Sequence, residues 1–217
     1  MTLSAVCAPP LSAADYERIF HTVFSVTEPF VDPTTSCVLF SMVGALILKT
    51  RYGRPAQFCA GAAAYVVEEY DDGGTILLFG VDGPGGFRPV GNLFHCWVEV
   101  DGWVIDFMAP LFGEALRHRE GGPARLPRKM FQRRYADIVN AVRAGQQPPF
   151  GLVRDAALTV ELADAFLRSP ERNLVEACMQ WFAPTPQVMP PTFNLLETTQ
   201  NKLMTLKLHG PRVEGSW

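Results

Sequence analysis

A thiol, an imidazole and a carboxylate together can form and break acyl bonds, and this chain holds one such set at a telling spacing. Thiolate is the nucleophilic form of cysteine, and the positive end of a helix favours it. Of the five cysteines, at positions 7, 37, 59, 96 and 178, only Cys37 falls in the first turn of a strongly patterned helix. Cys59 and Cys96 fall inside strand patterns, Cys7 in a proline-flanked tail and Cys178 inside a late helix. The base and its orienter lie on Phe94–Phe107, FHCWVEVDGWVIDF, two alternating runs joined by Asp101-Gly102. That dipeptide suits a two-residue type I′ hairpin turn and so fixes the register. Val100 then faces Trp103, Trp97 faces Asp106, and His95 faces Met108. Alternation puts His95, Trp97, Glu99, Val104, Asp106 and Met108 on one side of the hairpin. Cys96, Val98, Val100, Trp103, Ile105 and Phe107, all apolar, share the other. His95 and Asp106 become diagonal neighbours, roughly 7–8 Å apart at the backbone, close enough for the carboxylate to hold the ring. By the same alternation Cys96 points away from His95.

Other elements must bring the thiol to this hairpin. Ser12-Ala13-Ala14-Asp15 opens a helix whose Tyr16, Ile19, Phe20 and Val23 recur at helical spacing. Pro29, Asp32 and Pro33 break the chain, and Thr34, Thr35 or Ser36 caps a second helix over Cys37–Arg51. That helix is apolar on nearly every side, with Lys49 and Arg51 at its negative end and Gly53 beyond, so protein must surround it. Small residues from about Ala56 to Glu69 predict a strand able to approach a packed helix closely. A turn at Asp71-Asp72-Gly73-Gly74 leads to a second strand, Thr75–Phe79. The glycine-rich stretch Gly80–Gly91 is too irregular for a phosphate loop and precedes no helix, so it reads as a surface loop beside the site.

Beyond Pro110 the pattern predicts a short helix, Leu111–Arg119, ended by Gly121-Gly122-Pro123. An amphipathic helix is expected over Met130–Val142, with Arg125, Arg128, Lys129, Arg133 and Arg134 as its solvated face. A linker at Gln146-Gln147-Pro148-Pro149 precedes two more helices, Leu158–Leu167 and Arg172–Phe182. Four prolines between 184 and 191 stiffen the connection to a late edge strand, Leu203–Leu208. The expectation is one α+β domain over 1–217, with a catalytic core at about 12–108 and a helical portion at about 110–217.

Composition narrows the function. Hydrophobic residues make up 48% and charged residues 19% of the 217, which fits a folded domain rather than a disordered chain. A net charge of −3 recommends neither nucleic acid nor an anionic membrane as a partner. The longest apolar run, Cys37–Leu48, holds Ser41 and Gly44 and is too short to span a bilayer. An odd, scattered set of cysteines without CxxC points to reduced thiols, and with no signal-peptide pattern at the start the expected location is cytoplasmic. No metal or other cofactor is expected. His21, His118 and His209 have no ligand-like neighbours, and a zinc site from Cys59, Cys96 and His95 would draw on both faces of a sheet. Trp97 reads as a wall of the core, although its face makes it a substrate-contact candidate, and Glu99 as part of a solvated rim.

In its order and local context the chain resembles the transglutaminase-like branch of the papain-like cysteine-enzyme superfamily, a bacterial branch of it above all. The residues that carry this are Ser36-Cys37 at a helix start, His95-Cys96-Trp97-Val98-Glu99-Val100, and Gly102-Trp103-Val104-Ile105-Asp106, within roughly residues 34–108. The resemblance implies a papain-like α+β fold, the Cys37 helix packed on an antiparallel sheet that carries the other two residues. It implies Cys37 as nucleophile, His95 as general base and acid, and Asp106 as the residue orienting the imidazole. The papain-type glutamine ahead of the cysteine is missing, with Val31 and Asp32 in that region, and so is the Arg-Gly-Gly of arylamine acetyltransferases. One oxyanion donor is then the Cys37 N–H; Asn92, near His95 in sequence, is the candidate for the second. The expected function is hydrolysis of an amide or peptide bond, or acyl transfer, through a thioester on a peptide or small acyl substrate. The other reading is a catalytically inactive papain-like binding protein. An open groove over a contacting Cys37–His95–Asp106 set would separate the two.

Overall fold

Ser12 begins the ordered framework by accepting the Asp15 N–H at 3.1 Å, which caps α1 (Ala13–Thr27) as the spacing predicts. The computed structural model describes residues 8–70, 73–84, 86–117, 126–137, 150–197 and 201–217. The expected features at 71–72, 121–123 and 146–149 lie outside them, as do Cys7, His118 and Arg125. Asp32 caps a 3-10 turn, Pro33–Thr35, that runs straight into α2 (Cys37–Arg51). Ser36 takes the cap position of α2 without a side-chain cap bond, and its hydroxyl instead donates to the Asp32 carbonyl at 2.8 Å. Asp32 is therefore the capping side chain of the 3-10 turn, and Ser36, one of the three residues expected, holds the cap position of α2 through its backbone.

Six antiparallel strands form one curled sheet: β1 (Gln57–Tyr70), β2 (Gly73–Phe79), β3 (His95–Val100), β4 (Trp103–Asp106), β5 (Phe131–Arg134) and β6 (Phe150–Arg154). Their order is β2-β1-β3-β4-β5, with β6 also on β1. The β3–β4 turn has Asp101 at φ 50° and Gly102 at φ 77°, the two positive values a type I′ turn requires. Val100 pairs with Trp103 and Val98 with Ile105, the register read from the sequence. Helix α2 packs on β3 and β1, with α1 beside it, and this enclosure accounts for its all-round apolar surface.

One edge of β1 is divided between two partners. It pairs with β3 from Gln57 to Gly61 and with β2 from Ala63 to Tyr70, while β6 covers the other edge from Gly61 to Tyr65. Near this division Gly61 lies between His95 on one edge and Arg154 on the other, and a Cβ placed on it would meet the Val153 carbonyl oxygen at 2.0 Å. Backbone cannot yield as a side-chain tip does. Gly61→Ala is expected to cost about 2–3 kcal/mol, read as a lower urea midpoint with an unchanged m-value. A midpoint equal to wild type would show that β6 does not lie so close.

The second half is mixed rather than helical. A 3-10 turn, Ala109–Leu111, leads into α3 (Phe112–Arg117); later come α4 (Ala156–Arg168) and α5 (Arg172–Trp181), close to their predicted bounds. The helix expected from Met130 instead begins as strand β5. Its short run offers β4 a full ladder, with Phe131 opposite Asp106, and its Gln132 amide meets both the N–H and the C=O of Leu11 at 3.0 Å. Local helical patterning loses to these pairings. The late edge strand exists as β8 (Lys202–Lys207), paired with an unforeseen β7 (Thr192–Glu197) in a separate two-stranded sheet. Among the described residues no helix is long and apolar enough to cross a membrane.

Candidate active site

The strand end and the helix start meet where the sequence reading placed them. His95 opens β3, Asp106 closes β4, and the His95 Nε2 to Asp106 Oδ2 distance is 2.6 Å with both side chains fully buried. The carboxylate is held from three sides. Tyr65 Oη donates to the same Oδ2 at 2.9 Å, and the Met108 N–H donates to Oδ1 at 2.9 Å. Tyr16 on α1 donates its hydroxyl to the Asp106 carbonyl and accepts the Phe131 N–H at 3.4 Å, tying the helix to the ends of β4 and β5.

The ring is boxed by aromatics. Phe79 stacks on it with centroids 4.3 Å apart, while Tyr65 and Phe112 meet it edge-on at 5.7 and 5.9 Å. Its Nδ1 is buried and makes no close hydrogen bond, and Cys37 at the first residue of α2 is the reactive group that interacts with this imidazole. Cys96 was expected to point away from His95, and strand alternation does separate the two. The start of α2 nevertheless comes near both, and the Cys96 thiol acts on the Cys37 sulfur. Sequence patterning held no signal for this approach, because it arises from helix docking.

These neighbours decide the charges. The neighbouring Cys96 thiol, then the His95 imidazole and its charge, hold the Cys37 thiol down to about 5 against the opposing effect of burial. Burial alone would push the His95 imidazolium pKa down, but the Asp106 charge and hydrogen bond, with Cys37, overcome it and raise it to about 10. Cys59 goes the other way, up to about 12, through burial and the nearby Glu99. Burial also raises Cys96 and Cys178. Cys37 is thus the activated thiol among the described cysteines, part of a thiolate–imidazolium pair.

Cys37, 8% exposed, and the fully buried His95 line a cleft of about 560 Å³. Asp32, Thr34 and Thr35 line it together with Leu77, Phe79, Asn92–Phe94, Met108 and Ala115. Asn92 is exposed in this lining, so the structure brings it to the site. Trp97 does not reach it. Its side chain is fully buried and its Nε1 donates to Glu99 Oε1 at 3.0 Å, which corrects its candidacy for substrate contact. Glu99 in turn is half-buried and faces Arg154 at 3.6 Å.

Tyr65, Phe79 and Phe112 are the functional neighbours that the sequence reading missed. Tyr65→Phe keeps the ring packing and removes one donor from the carboxylate. The expected result is a stability loss of about 1–2 kcal/mol and a shift in the pH profile of Cys37 alkylation. A variant that loses stability with an identical profile would make Tyr65 structural only.

Comparison with known proteins gives two matches. The family model "Protein of unknown function (DUF2026)" matches residues 12–217. A solved structure, "The crystal structure of genomics APC5867", is 30% identical, with a TM-score of 0.77, over 98% of this chain and 100% of that one. No curated protein matches.

Proposed function

The chain belongs to the DUF2026 family, and within it we propose a cysteine-nucleophile enzyme of papain-like, transglutaminase-like design that cleaves or transfers an acyl group. The observation that carries this reading is the Cys37–His95–Asp106 set at a cleft, with the carboxylate on one ring nitrogen and the thiol among the groups that act on the imidazole. The Cys37 thiolate attacks an amide or ester carbonyl, and the His95 imidazolium gives its proton to the departing amine or alcohol. The thioester is then resolved as neutral His95 takes a proton from water or from an acceptor amine. Asp106 holds the tautomer and orientation of the ring throughout. The Cys37 N–H, at a helix start where backbone donors lack partners within the helix, and the Asn92 amide are the proposed oxyanion donors. The substrate is a peptide or small acyl compound, and the setting is cytoplasmic.

The non-catalytic binding reading asked for a sealed thiol, and Cys37 lines the cleft instead. The test is incubation with p-nitrophenyl acetate, following nitrophenolate release and intact mass. The reading expects a burst and one acetyl group on Cys37, both lost in Cys37→Ser. Release at equal rate from both proteins, with no adduct, would overturn it.

A further inference from the structure

The residues lining the cleft differ in chemistry, and that difference selects a substrate. Leu77, Phe79, Leu93, Phe94 and Met108 make an apolar slot beside the reactive pair. Asp32, an exposed residue, also lines the cleft, and its carboxylate is fixed: the Thr34 N–H and hydroxyl hold its Oδ1 at 2.9 and 2.8 Å. Among the described residues lining the cleft there is no lysine or arginine. The nearby cations of α3 and the following segment face Glu114 instead, Arg117 at 3.1 Å and Arg128 at 2.6 Å. The imidazolium lies between the thiolate and Asp106, which leaves no net positive charge at the reactive pair and Asp32 as the carboxylate that lines the cleft. A second carboxylate entering this slot would lose water and gain repulsion, whereas an alkyl or aryl group gains burial.

We infer that the cleft takes acyl compounds whose bound acyl group is apolar and carries no negative charge, with Asp32 rejecting anionic chains. This rests on the acyl-transfer reading above and names the substrate class within it. The step is balanced: the carbonyl–oxygen or carbonyl–nitrogen bond breaks as the sulfur–carbonyl bond forms. The leaving group departs with the His95 proton.

Two esters of equal chain length test it: p-nitrophenyl hexanoate and the p-nitrophenyl monoester of adipic acid. Both are corrected for spontaneous hydrolysis, and Cys37 acylation is followed by mass. The expected hexanoate preference is tenfold or more. Asp32→Asn, which keeps the Oδ1 acceptor for Thr34, narrows it to about threefold or less, and Leu93→Lys raises the adipoyl rate. Equal acylation by the two esters, or a gap unchanged in Asp32→Asn, would overturn the inference. So would the absence of acylation by either ester while iodoacetamide still labels Cys37 near pH 6, although the activated thiolate would then stand. Loss of that labelling as well would remove the catalytic reading beneath it.

Discussion

His95→Ala is expected to move the pH midpoint of Cys37 alkylation from about 5 to near 9. Two of the influences on the Cys37 thiol, the neighbouring Cys96 and burial, are the largest and act in opposite senses. Without the imidazole the Cys96 effect is opposed by burial and by the Asp106 charge, and the thiol returns toward its ordinary value of 9.0. Near pH 6 the thiolate fraction then falls from about nine-tenths to about one in a thousand. The higher-pKa thiolate is intrinsically more nucleophilic, by roughly 1.6–2 decades at a Brønsted slope of about 0.4–0.5. The net loss is about ten- to twentyfold near pH 6, with the variant overtaking wild type at high pH. Iodoacetamide rates from pH 4 to pH 10, with Cys37→Ser as the blank for the other thiols, measure both arms. A midpoint that stays near 5 would assign the depressed pKa to Cys96 and leave the imidazole without a part in activation. For wild type the ion pair forms as pH rises past about 5 and is lost as pH rises past about 10, so acylation should plateau between them.

Asp106→Ala should be the most destabilising change at the site. It strands the Tyr65 hydroxyl, the Met108 N–H and a buried imidazolium, all now bonded to the carboxylate. Leaving a buried charge unpaired costs about 3–5 kcal/mol, a large part of the stability of an ordinary domain. Asp106→Asn separates structure from chemistry. The amide oxygen can still accept from Met108, while its N–H₂ makes His95 Nε2 an acceptor and puts the ring proton on Nδ1, toward Cys37. That is the wrong tautomer for a base, and the same loss in Ser-His-Asp triads lowers kcat by about 10⁴. Urea unfolding should place Asn well above Ala, while p-nitrophenyl ester turnover falls by about 10³–10⁴ in Asn. Turnover within tenfold of wild type in Asp106→Asn would mean that the carboxylate does not orient a catalytic base.

The site's three principal residues were legible because each is announced locally. Asp101-Gly102 sets a register, alternation sets a face, and the break at Pro33 sets a helix start. What stayed hidden comes from pairing across long stretches of chain. Tyr65 reaches Asp106 because β1 lies beside β3, and Cys96 comes near Cys37 because α2 docks on that strand's other face. Neither depends on a local period. The strand at Phe131–Arg134 was mistaken for helix for a related reason: four residues give alternation too little length to register, and the β4 edge decides. Trp97 shared a face with His95 in the register, but depth along the strand puts it under the core instead of in the cleft.

The divided edge of β1 also bears on motion. Its amides and carbonyls are bonded to β3 and then β2 along one edge and to β6 on the other; beside β6, Ala60 adds the Thr159 hydroxyl at 3.0 Å and the Asp155 N–H at 2.9 Å. Cys59, Ala60, Ala62 and Ala63 are fully shielded from solvent. Amide hydrogens there should exchange with deuterated water only through global opening, while those of the separate β7–β8 hairpin exchange through local fraying. Because His95 is laddered directly to this strand, the imidazole belongs to the slowest-opening unit of the molecule. Partial melting of the far hairpin would therefore leave the geometry around Cys37 standing.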